Sequence, residues 1–98
     1  MAQVEQDVKA RVDWLVDYLI GKWSAVPDAV RDWKGWDSVQ KEVFQLEWAI
    51  PESHLAALRA HVARGTVTSE QMERYDELLG LMDRHRADLE QLFADKAA

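Results

Sequence analysis

Gly65-Thr66-Val67-Thr68-Ser69-Glu70-Gln71-Met72 is the stretch on which the fold turns. Thr68 is a capping hydroxyl and Gln71 stands three residues on, the spacing of a capping box, while Val67 and Met72 hold the two positions of a hydrophobic staple. A helix therefore starts here. Gly65, just upstream, suits the left-handed residue that closes a helix. One helix ends and the next begins across a connection so short that the two must fold back as an antiparallel hairpin.

Downstream, the helix runs from about Ser69 to Ala94. Met72, Tyr75, Leu79, Met82, Arg86, Leu89 and Phe93 alternate spacings of three and four, with Leu78, His85 and Leu92 beside them. Three apolar positions per heptad fit the wide core face of a bundle better than a narrow coiled-coil seam. Arg86 interrupts that stripe. It must pair with an acid, snorkel to water or meet something outside the domain, and snorkelling is the simplest of the three.

Upstream of the hairpin, Ser53 or Glu52 begins a helix through Leu55, Leu58 and Val62, and Pro51 ends the segment before it. That earlier segment opens at Asp37, with Gln40 placed to complete a second capping box, and Val39, Val43, Leu46 and Ile50 supply its apolar stripe. Phe44, Leu46, Trp48 and Ile50 also alternate as a half-buried strand would. A lone strand leaves its ladder unpaired, and Thr66-Val67-Thr68 is too short to build a sheet, so helix is the reading kept. At the start of the chain Val4, Val8, Val12, Leu15, Val16, Leu19, Ile20 and Trp23 fall on one helical face, predicting a helix over about residues 3 to 24. Pro27 breaks it and suits the first turn of a short helical piece through Ala29, Val30 and Trp33. The expectation is a single all-α domain over residues 1–98, a small bundle of about four helices. Its C-terminal antiparallel helical hairpin packs its long second arm against the first helix.

The chain has 98 residues, 48% of them hydrophobic, enough for a core without staples. With no cysteine there is neither a disulfide framework nor a thiolate site. The net charge of −6 is spread evenly along the chain, with no basic patch to replace phosphate counterions, so direct nucleic-acid binding is not expected. Neither a targeting segment nor a membrane-spanning run is read, and a soluble, cytoplasmic protein is expected.

The search for chemistry is short. Gly21, Gly35, Gly65 and Gly80 are isolated, which excludes a phosphate loop or a dinucleotide fingerprint. His54, His61 and His85 lack the helical spacings of metal sites, and His85 with Asp88 is a weak pair. Glu70, Glu73, Asp76, Glu77 and Asp83 read as a solvated face, partly paired with Arg74 and Arg84. No enzymatic activity, metal or cofactor is expected.

The anomaly is tryptophan, five residues, all between positions 14 and 48. Trp23 and Trp48 continue apolar stripes and read as core. Trp14 lies roughly 150° from the centre of the first stripe, with Tyr18 one turn on, and Trp33 and Trp36 bracket the Lys34-Gly35 break. In one reading Trp14, Tyr18, Trp33 and Trp36 make a second small core. In another they form an exposed patch that docks a protein partner or a second copy of the chain, and a non-catalytic interaction module is the function this favours. Alternatives are a Trp-lined pocket for a small ligand, or an acidic surface that mimics nucleic acid and blocks a basic protein.

Overall fold

The structure, a computed structural model, describes the backbone of residues 2–94 and the side chains of residues 5–94. Val4, expected to open the first stripe, lies outside the described side chains. Among the described residues the elements are α1 (Ala2–Ser24), α2 (Val26–Asp32), a 3₁₀ turn (Trp33–Gly35), α3 (Ser38–Glu47), α4 (Ala49–Arg64) and α5 (Ser69–Ala94), with no strand. The all-α bundle is as expected, and the short piece that holds Pro27 in its first turn is a helix in its own right.

Local chemistry sets most of these boundaries. The Asp37 carboxylate accepts from the Gln40 N–H at 2.8 Å, and the Asp37 N–H donates to Gln40 Oε1 at 2.9 Å, which satisfies two donors that a helix start otherwise leaves open. Thr68 and Gln71 repeat the arrangement at 3.1 and 2.9 Å. At the end of α4, Gly65 has φ +72°, and the N–H groups of Gly65 and Thr66 reach back to Val62 and His61 carbonyls. This is a Schellman close, which only glycine enters at no steric cost. Pro51 does not end a helix. It sits buried in the first turn of α4, where a missing N–H is tolerated, and Trp48 is the hinge between α3 and α4.

Three long helices make the body. Gln71 of α5 reaches Lys9 and Asp13 of α1, and Arg74 pairs with Asp17 one turn on, so α1 and α5 run parallel. Trp14 meets His54 while Trp23 meets Trp48, so α4 runs against α1. The order is up, down, up, with α4 and α5 joined as the expected hairpin and α1 packed on both. Val12, Leu15, Val16, Leu19, Trp23, Leu58, Leu78, Met82 and Leu89 form the main core. Removing each such aliphatic side chain from water is worth about 1.5–3 kcal/mol.

The inward face of α5 is rotated from the one expected. Its buried residues are Gln71, Leu78, Met82, Leu89 and Leu92, whereas Leu79 is half-buried and Phe93 exposed. The true seam runs through 71, 75, 78, 82, 85, 89 and 92. A polar residue, Gln71, disguised its first position. Arg86 therefore sits at the flank, more than half exposed and 3.3 Å from Asp83.

At the upper end, α2, the 3₁₀ turn and α3 cover the ends of α1 and α5. Ala29, Trp33 and Leu92 form a second small core, flanked by Val30, Trp36 and Phe44.

Candidate functional site

Two of the four tryptophan and tyrosine residues singled out from sequence belong to that second core. Trp33 is buried and Trp36 half-buried, with ring centroids 5.4 Å apart, and Phe44 packs 5.6 Å from Trp33. Phe44 continues to Trp48 at 5.7 Å, and Trp48 meets Trp23 edge-on at 5.5 Å. One aromatic chain thus binds the 3₁₀ turn, α3, the start of α4 and the end of α1. Lys41 Nζ covers the Trp33 ring at 5.6 Å.

Trp14 and Tyr18 lie elsewhere, on the outer side of α1 against α4. Their rings stack at 5.1 Å, and His54 of α4 stands edge-on to both, at 5.1 and 4.9 Å. Arg11 lies over Trp14 and Lys22 over Tyr18, each 5.6 Å from the ring centroid. Spacings of three and four bring these four α1 residues into one ladder, in which cations cover the π-faces. Trp14 remains 47% exposed, yet both of its faces have partners within the chain. His54 was not legible as a member of this cluster, because its position depends on how α4 crosses α1.

The least expected surface is α3. Val39, Val43 and Leu46, with Ile50 at the next spacing on α4, were expected to be core, and they face solvent instead at 65%, 43%, 68% and 52% exposure. No residue of α3 is buried. The face turned inward carries Lys41, Phe44 and Gln45, whose amide donates to the Leu92 carbonyl at 2.8 Å. The physical reason is the competition between two apolar faces of one helix. Phe44 and the adjoining Trp48 each bury more area than any valine, and they find Trp23, Trp33 and Trp36 waiting for them. The aromatic face wins, and the aliphatic stripe is left open. Four adjacent large aliphatic side chains exposed at helical spacing are unlike the singly scattered apolar residues of an ordinary surface.

The remaining candidates are polar and local. His61 Nδ1 lies 3.1 Å from Thr66 Oγ1 beside the hairpin, and His85 Nδ1 lies 3.9 Å from Asp88. Among the described residues no group of three His, Asp or Glu side chains is placed to hold a metal ion, and no helix is long and apolar enough to cross a membrane. A groove between α4 and α5 is walled by Trp23, Trp48, Leu55 and Met82, with Arg59 and Arg86 at its rim. It is built from the two core tryptophans rather than from the four singled out above. Glu70, Glu73, Asp76, Glu77 and Asp83 are all exposed on α5. Compared with known families, with curated protein sequences and with solved structures, the chain has no significant match.

Proposed function

We propose that the protein is a non-catalytic interaction module that docks another protein through the outer face of α3. The single observation behind this reading is the exposed stripe Val39, Val43, Leu46 and Ile50, on a helix whose opposite face is already anchored by Phe44 and Gln45. Apolar surface at helical spacing, held on an element that contributes little to the main core, is the usual form of a groove or ridge that receives a partner helix. Trp14 and Tyr18 stand outside the proposed surface: their rings make contacts within the chain with Arg11, Lys22 and His54, although Trp14 keeps nearly half of its surface exposed. Trp33 and Trp36 act indirectly, by holding α3 through Phe44.

Site-specific photocrosslinking in cells of the source organism tests this. A photoreactive side chain at Val39 or Leu46 is expected to capture one protein species, whereas the same group at Glu77 on α5 captures none of it. Equal capture at Leu46 and Glu77, or no capture at either α3 position, would overturn the proposal.

A further inference from the structure

Resting on the reading of α3 as a docking face, we infer that its occupant is a basic amphipathic helix: apolar on one stripe, flanked on both sides by lysine or arginine. The argument begins with the residues that border the stripe. Taking 100° per residue along α3, Val39, Val43 and Leu46 cluster on one side, with Ile50 beyond the Trp48 hinge, and Glu42 and Glu47 fall to the left and right about 70° from the centre. Both glutamates are exposed, and among the described residues neither has an ion-pair partner. Lys41, the sole basic residue of α3, belongs to the opposite face, where its ammonium lies over Trp33. The stripe therefore runs between two acidic rails with no cation among the residues of α3 that border it.

The rails choose among occupants. Spacings of four, three and four are those of heptad seam positions, and Glu42 and Glu47 then occupy the flanking positions that meet a partner helix. A second copy of this chain would set glutamate against glutamate in either direction. Parallel pairing apposes Glu42 with Glu47 of the other copy, and antiparallel pairing brings like residues together. An acidic or uncharged helix leaves both carboxylates without compensation at the rim. A helix with lysine or arginine at its flanking positions pairs with both rails while its apolar stripe covers Leu46 and its neighbours. Affinity comes from the apolar stripe, and the rim charges set which helix is accepted and how fast it arrives. Along α3 itself, from Val39 to Leu46, the stripe spans roughly 11 Å, about two turns of a partner helix, and Ile50 continues it beyond the Trp48 hinge.

The test uses the full chain, isotopically labelled, titrated with two synthetic helical peptides of identical length. Both carry leucine at the seam positions. One has lysine and the other glutamate at the flanking positions. The lysine peptide is expected to bind with amide shifts concentrated at residues 38–50, about tenfold or more tighter than the glutamate peptide. E42K/E47K reverses the preference, E70K/E77K, which changes net charge equally at the other end of the bundle, leaves it in place, and L46D loses both peptides while keeping its helical circular dichroism. Equal binding of both peptides at residues 38–50 overturns the basic-partner inference and leaves the docking reading standing. No shift at these residues with either peptide overturns both. A wild-type dimer by light scattering that L46D dissolves overturns the choice of occupant in favour of a second copy.

Discussion

Gln71 carries three tasks with one side chain. It is buried, its Oε1 accepts from the Thr68 N–H, and its Nε2 donates to the Lys9 carbonyl at 3.0 Å and to Asp13 at 2.8 Å. Gln71→Glu keeps an acceptor for the cap but removes both donors and faces a carboxylate with another. Since hydrogen bonds to charged groups are worth more than neutral ones, urea unfolding is expected to show a loss of about 2–3 kcal/mol. A loss under about 0.5 kcal/mol would mean that the tie to α1 contributes nothing beyond the cap. The tryptophans separate in the same way. Trp33→Ala empties the second core and should cost about 3–5 kcal/mol. Trp14→Ala removes a half-exposed ring stacked on Tyr18 and should cost about 1–2 kcal/mol by the same measurement. Equal losses at the two positions would contradict the separation of buried and surface aromatics described above.

At the scale of the element, α3 buries a face that its aliphatic stripe does not select, and α5 turns inward the Leu78 side of the wide face that its periodicity marks. In α5 the fully buried position is Leu78 and its half-buried neighbour is Leu79. Leu78→Ala is expected to cost about 2–5 kcal/mol, and Leu79→Ala clearly less. For α3 the expectation is the opposite of what four aliphatic residues normally imply. Val43→Ser with Leu46→Ser should cost no more than about 1 kcal/mol, because both side chains are largely exposed and neither belongs to either core cluster. A loss of several kcal/mol in the double variant would show that the stripe is core after all. The capping boxes at Asp37 and Thr68 and the Schellman close at Gly65 were legible because each is formed by residues within a few positions of one another. The depth of the Pro51 turn was less so, since proline is compatible both with ending a helix and with the first turn of the next.

The whole molecule is long and thin, 51 × 22 × 18 Å with a radius of gyration of 15.6 Å. A compact chain of this length would have a radius near ~13 Å, so the bundle is elongated and its core is a column rather than a sphere. Stability must then be uneven along it. Leu15, Val16 and Leu19 are central to the column, facing both α4 and α5, whereas α3 touches the rest mainly through the aromatic chain and its joint with α4. Native-state hydrogen exchange should find the amides around Leu15 to Leu19 opening only with global unfolding, and those of Glu42 to Glu47 opening at a free energy several kcal/mol lower. Uniform protection over both segments would mean that α3 is part of the main cooperative unit.

Helix content, the hairpin and the caps were determined by the sequence alone, because periodicity, prolines, glycines and capping side chains act over a few residues of chain. The rotation of each helix about its own axis was decided only in the tertiary structure. Phe44 and Leu46 lie on opposite sides of α3, and either side could have been buried on the strength of its own composition. The outcome rests on Trp23, Trp33 and Leu92, which come from three different elements and reach Trp48 and Phe44 only when α1, the 3₁₀ turn and α5 converge. Gln71 and His54 followed the same rule, as their partners lie 58 and 40 positions or so away along the chain. Burial is a competition among faces for a limited interior, and the winner depends on what the distant elements bring to it.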